Sequence, residues 1–191
     1  MGALTRARKE EVAYISEAAV QGQQYLTFKL ADELFAIGIA VIKEIIEYRP
    51  PTTVPMMPQY ICGVINLRGR VVPVIDLLAR FGRASTEVSR RTCIIILEVQ
   101  HNDDLQYLGV VVDTVTAVLD IADTDIEPPP SFGARLRSDF ISGMGKVGDQ
   151  FVIILDINHV LSIEELSLLS EQDAQLNEAE TETQPIQNAA P

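Results

Sequence analysis

The chain has 191 residues, 47% of them apolar and 22% charged, which is the balance of a globular protein with room for a real core and not of a disordered one. Its formal net charge of −12 argues against a nucleic-acid partner, since phosphate backbones are held by clustered lysine and arginine. No stretch approaches the roughly 18 consecutive apolar residues of a membrane span, so neither nucleic acid nor direct membrane insertion is expected.

Taken in order, the start of the chain holds Arg6, Arg8, Lys9, Glu10 and Glu11 but no hydrophobic secretion core, which predicts a cytoplasmic protein. Val12, Ile15, Ala19 and Val20 follow at roughly helical spacing, so residues 1–22 read as an extension carrying a short helix that stops at Gly22. From Gln24 the period falls to about two: Tyr25 to Leu30, a turn at Ala31-Asp32-Glu33, then Leu34 to Ile39. Ile42 to Tyr48 continues the apolar pattern around Lys43, Glu44 and Glu47, until Pro50 and Pro51 end any ladder. An extended, proline-rich connection runs on to Pro58. Ile61 to Leu67 and Val71 to Ile75 are β-branched runs about a polar knot, a hairpin in which Gly69 is expected to make the turn while Arg68 and Arg70 ride on it. Asp76 to Phe81 suits a single helical turn, and the polar stretch from Arg83 to Arg91 is the expected internal boundary.

Thr92 to Val99 is a strongly apolar strand, His101 to Gln106 a turn, and Tyr107 to Asp113 the returning strand. Val115, Val118, Leu119 and Ile121 follow before Pro128, Pro129 and Pro130 break the pattern. Phe140 to Val147, a Gly148-Asp149 turn and Phe151 to Ile157 form a last hairpin. Ser162 and Glu165 make a capping box for a helix over about 162–169, and residues 171–191, acidic and without a basic residue, read as a disordered tail. Cys62 and Cys93 lie inside apolar runs with no Cys-x-x-Cys or histidine partner, so buried reduced thiols are expected and no metal site.

Two halves repeat. Ile61-Cys62-Gly63 over Ile141-Ser142-Gly143 and Asp76 over Asp156 share an offset of 80, while Phe35 to Ile39 over Leu108 to Val112 share an offset of 73. Each half is too short for a thick core of its own, and packing two together lets each protect the other. Ten short strands then imply an all-β fold of two small barrels, the first over about 24–82 and the second over about 92–157, with room for strand exchange between them. The differences between copies are informative: Arg68 answers to Gly148, and Glu44 to Ala117.

The motifs Gly63-Val64-Ile65-Asn66-Leu67-Arg68-Gly69, Val72-Pro73-Val74-Ile75-Asp76-Leu77, Gly109-Val110-Val111-Val112-Asp113 and Glu44-Ile45-Ile46 closely resemble those of the CheW family of chemotaxis coupling proteins, over residues 24 to about 169. The resemblance implies two SH3-like five-stranded barrels, no catalytic activity and no cofactor. It implies an adaptor between the cytoplasmic tip of a methyl-accepting chemoreceptor and the regulatory, CheW-like domain of the histidine kinase CheA, recruited to receptor arrays and able to close into rings with that kinase. Arg68 and Glu44 are then expected near one another on the receptor side with Asn66 and Gly69, over an apolar floor of Ile42 and Val41. Kinase contacts are expected at apolar barrel edges, at Val118, Ile121, Ile141 and Met144. An adaptor of another chemosensory array, such as one controlling twitching motility, would look the same.

A rival of a different class is a nucleotide-binding enzyme built on Gly143-Met144-Gly145-Lys146-Val147-Gly148. That fingerprint needs a helix behind it to receive the pyrophosphate, and here a strand-like run, Phe151 to Leu155, follows. His101 and His159 have no nucleophile beside them in a recognisable motif. Asp76, Asp113 and Asp156 each end an apolar strand, where carboxylates cap helices and tie turns.

Overall fold

In the computed structural model, residues 22–101, 104–129 and 138–161 are described. The helices expected within 6–20 and 162–169 and the acidic tail lie outside them. The described chain is almost all strand: β1 (Gly22–Leu30), β2 (Glu33–Gly38), β3 (Ile42–Glu47), β4 (Ile61–Leu67), β5 (Arg70–Asp76), β6 (Cys93–His101), β7 (Asp104–Val112), β8 (Thr114–Ala122), β9 (Ile126–Glu127), β10 (Ile141–Val147) and β11 (Gln150–Leu155). Two short helices, α1 (Leu77–Arg80) and α2 (Ile157–Leu161), follow β5 and β11. The last hairpin therefore ends earlier than its apolar run suggests, because Asp156 accepts hydrogen bonds from the amides of Asn158 and His159 and turns Ile157 into a helix. Asp76 does the same for Leu78 and Ala79 at α1.

Strand membership does not follow the chain halves. One sheet runs β3-β6-β7-β5-β4 and the other β8-β1-β2-β11-β10-β9. Strands are exchanged across the boundary expected at 83–91, as the sequence left room for: the first hairpin, β1-β2, belongs with the strands of the second half, and β6-β7 belong with those of the first. The chain crosses between sheets at a 3-10 turn, Ile39–Val41, and again at Asp113. The reason is pairing: β1 finds β8 and β2 finds β11, while β3 finds β6 and β5 finds β7, so neither half is a complete unit alone.

The repeat is kept at the level of register. Ile61↔Ile75 and Gly63↔Val74 flank a bulge on β4, and Ile141↔Leu155 and Gly143↔Ile154 flank the same bulge on β10. The parallel pairs Val74↔Gly109 and Ile154↔Ala36 are likewise equivalent. The Gly143 to Gly148 glycines fall on strand β10 and its turn, not on a phosphate-binding loop.

This exchange produces three apolar layers. Val72, Val74, Ile94, Ile96 and Val111 fill the first sheet, and Tyr25, Ala36, Ile121, Val152 and Ile154 fill the second. Between the sheets lies a larger cluster that draws on both, with Phe28, Leu30, Phe35 and Ile37 facing Ile75, Ile95, Leu97 and Val110. Strand β6 is buried on both faces, Ile94 and Ile96 inward and Ile95 and Leu97 toward the other sheet, which is why its sequence is an unbroken apolar run. Arg80 bridges the repeat: its guanidinium lies 4.6 Å from the Tyr60 ring centroid and 5.3 Å from that of Phe140, and its Nε donates to the Val160 carbonyl at 2.9 Å.

Gly63 sits at φ +133°, and a Cβ there would lie against the Thr52 carbonyl, which pairs with the Val64 amide at 2.8 Å. Gly63→Ala is expected to lower stability by about 2 kcal/mol or more through combined strain and clash. Gly148→Ala, at φ +60° with nothing near its Cβ, should cost less; chemical denaturation of the two variants checks the order.

Candidate functional site

The β4-β5 hairpin closes in two residues, since Leu67 pairs with Arg70 and only Arg68 and Gly69 lie between. Both have positive φ, +52° and +86°, the requirement of a type I′ turn, whose twist suits the flanking strands. Arg68 is therefore not a passenger of Gly69 but half of the turn. An arginine in the left-handed region costs about 1 kcal/mol relative to glycine, and the equivalent residue of the other copy, Gly148 at φ +60°, avoids that cost. Asn66 locks the turn, its Oδ1 accepting from the Gly69 amide at 2.8 Å.

Held there, Arg68 donates from its guanidinium to a Glu44 carboxylate oxygen at 2.8 Å. Arg68 is 79% exposed and Glu44 22%, so the pair contributes at most about 1 kcal/mol to stability and leaves most of the guanidinium facing solvent. Glu44 reaches this place because β3 is an edge strand paired to β6, opposite Ile96. Its counterpart Ala117 stands opposite Thr27 and carries no charge. The pair thus exists in one copy only.

Arg68 and Glu44 border a depression of about 200 Å³ whose other walls are Lys43, Leu67, Arg70 and Tyr107. Sequence reasoning missed Tyr107 and Lys43 as part of this place. The two meet Glu98, which stands directly across from Tyr107 in the β6-β7 ladder and pairs with Lys43 at 3.1 Å. The Tyr107 hydroxyl, and after it Lys43, hold the Glu98 carboxyl below its usual 4.5, while Glu98 raises the Lys43 ammonium. The Glu98 contacts are accordingly complete above about pH 4.5 and are lost as pH falls through the depressed value.

Among the other expected site residues, Val41 and Ile42 are half-buried and pack against the cluster between the sheets, so they do not line the depression. Val118 is 46% exposed on the edge strand β8, and Met144 lines a second, wider concavity of about 550 Å³ with Leu34, Gln150, Phe151 and Ile153. Ile121 and Ile141 are corrected: at 2% and 7% exposure they are core side chains and present no surface. Their apolar character came from packing, which an alternating sequence cannot distinguish from an exposed edge. Cys62 is half-buried, its thiol pushed up to about 11 first by desolvation and then by Asp76, which leaves it protonated and inert at neutral pH. Asp113 ties the β1-β2 turn by accepting from the Ala31 amide. No cluster of metal-ligating side chains occurs among the described residues, and no helix among them is long and apolar enough to cross a membrane.

A family model described as a CheW-like domain matches residues 24–165. The chemotaxis protein CheW of Klebsiella aerogenes is 36% identical over 148 residues, covering 78% of this chain and 87% of that protein. That of Rhizobium meliloti is 31% identical over 144 residues, 75% of this chain and 90% of its own. Among solved structures, the scaffolding protein TtCheW from Thermoanaerobacter tengcongensis superposes with a TM-score of 0.66 at 34% identity, covering 73% of this chain and 88% of that one.

Two measurements check this geometry. Arg68→Gly should leave stability unchanged or raise it by up to about 1 kcal/mol, because relief of the backbone offsets the exposed ion pair; a fall of several degrees in Tm would make Arg68 structural. In an NMR titration, Tyr107→Phe should move Glu98 up toward 4.5, and by more than Lys43→Met does.

Proposed function

This chain belongs to the CheW-like family of non-catalytic chemotaxis adaptors, and on that premise we propose that it couples the cytoplasmic tip of a methyl-accepting chemoreceptor to the regulatory domain of the histidine kinase CheA. The observation that carries the reading is the Arg68–Glu44 pair. One partner occupies a strained backbone position that glycine fills in the other copy, and the other replaces an alanine, so neither is demanded by the fold. Charge placed at a cost to stability, on the rim of a shallow depression, is what a docking surface for a polar helical bundle needs. Asn66 and Gly69 act by fixing the turn. Val41 and Ile42 act from beneath, holding the start of β3 against the core.

The kinase would be met elsewhere, at the apolar edge formed by Val118 on β8 and by Met144 beside Phe151, which is 52% exposed. Two separate faces on one rigid body let receptor and kinase bind together, and repeated pairing of such faces with a kinase domain of the same fold would close rings. The protein would work in the cytoplasm beside membrane-borne receptors. It transmits a signal only if it binds one receptor or kinase state more tightly than the other, because equal affinity for both shifts no equilibrium.

Reconstitution of receptor, kinase and this protein tests the proposal: kinase activity should respond to receptor only when the chain is present. Arg68→Glu should weaken binding to a chemoreceptor cytoplasmic fragment by about tenfold or more while circular dichroism and kinase-domain binding stay unchanged. Wild-type binding to neither partner at tens of micromolar would overturn the reading.

A further inference from the structure

Next to the Arg68–Glu44 pair stands a second device that the turn does not need. The Arg70 guanidinium lies over the Tyr107 ring, 4.9 Å from its centroid, and the Lys43 ammonium lies 5.8 Å from the same ring. Lys43 is committed to Glu98, and Arg68 to Glu44. Arg70 is exposed and, among the described residues, has no ion-pair partner, although Glu98 feels its charge. The ring holds the exposed guanidinium by a cation–π contact, and a guanidinium with no carboxylate of its own can receive one in a two-pronged contact.

The repeat again separates what the fold requires from what was added. The position of Arg70 is held by Gln150 in the other copy, that of Tyr107 by Leu34 and that of Lys43 by Thr116. The residue paired across the ladder from Leu34 is Lys29, where Tyr107 has Glu98. Those four, Leu34, Gln150, Thr116 and Lys29, line the wider concavity of the second sheet. The same backbone location thus carries two cations about a tyrosine ring in one sheet, and in the other a hollow with a single lysine, Lys29, and two carboxylates, Asp32 and Glu33. In a chain with a net charge of −12, an unneutralised cation beside two paired ones makes this a local point of attraction for a negative group.

We propose that the Arg70–Tyr107 stack is a specificity-determining contact that reads an acidic side chain, an aspartate or glutamate, on the helical receptor tip docked at Arg68. The proposal rests on the receptor-docking reading above and adds a named chemistry to it. Arg68 fixes where the helix lies, and Arg70 selects helices that present a carboxylate beside that point.

The test uses the full chain and a chemoreceptor cytoplasmic fragment, with binding measured by calorimetry. Arg70→Gln and Tyr107→Leu place residues that the other copy already tolerates at these positions, so both should fold, as a melting curve confirms. Each should weaken binding to the fragment, Arg70→Gln by about tenfold, with binding to the kinase regulatory domain unchanged. Arg70→Lys should not restore the loss, since an ammonium neither stacks flat nor forks. Reversing the charge of acidic residues at the fragment's tip one at a time should identify one whose change harms the wild-type complex but does nothing further to that of Arg70→Gln. Binding by Arg70→Gln within twofold of the wild type would overturn the inference and leave the receptor reading intact. A loss confined to the kinase domain would overturn it too, and a wild-type chain that ignores the fragment would remove both.

Discussion

The apolar layer between the two sheets is the constraint from which the rest follows. It is assembled from both halves, Phe28, Phe35 and Ile37 from the exchanged first hairpin and Ile95, Leu97 and Val110 from the exchanged second one, all essentially excluded from solvent. Fully burying a side chain of this kind contributes about 1.5–3 kcal/mol, so a layer of this extent outweighs every exposed ion pair in the molecule. Because each sheet borrows strands from the other half, the layer cannot form piecemeal. Two sheets that share strands and a core behave as one body, and Arg80, held between Tyr60 and Phe140 and bonded to α2, ties the two short helices across the repeat.

A duplicated scaffold also supplies its own control. Wherever both copies keep a residue, as with the helix-capping Asp76 and Asp156 or the bulge glycines Gly63 and Gly143, the shared fold is a sufficient explanation. Where they differ without disturbing register, the shared fold alone does not account for the residue present. Arg68 against Gly148 is the clearest instance, because the arginine is worse than the glycine for the backbone. Glu44, Lys43, Arg70 and Tyr107 differ from their counterparts on the same patch of one sheet. All five departures border one depression, which is what the proposed receptor reading would require.

Much of this was legible in the sequence. Matches at offsets of 80 and 73 revealed the repeat, while period-two alternation located the hairpins and β-branched runs marked the buried strands, both of which depend on near neighbours in the chain. Membership of sheets did not, because whether β1 pairs with β8 or stays in its own half turns on long-range register that apolar pattern alone leaves open. The same limit hid the burial of Ile121 and Ile141, whose surroundings come from other strands, and the meeting of Tyr107 with Lys43 and Arg70, which lie on three strands of one sheet. The left-handed conformation of Arg68 could have been found: a two-residue loop between Leu67 and Arg70, of type I′ or II′, requires positive φ at its first central residue, whatever side chain that residue carries.

The division of labour between rigid core and charged rim suits an adaptor. A surface that must prefer one state of its partner cannot itself be loose, since a side chain that reorganises to meet both states equally would bind both equally and pass nothing on. Here each rim residue already has a contact within the protein that biases where it stands. Arg68 is set by a two-residue turn that Asn66 locks, Glu44 by its strand and by Arg68, Lys43 by Glu98, and Arg70 by the ring beneath it. None of these contacts contributes much to stability, and several are exposed enough to be screened by salt. Their effect would lie in geometry: on the proposed reading, charges carried on a stiff sheet would turn a small shift of an opposing helix into a difference in binding energy.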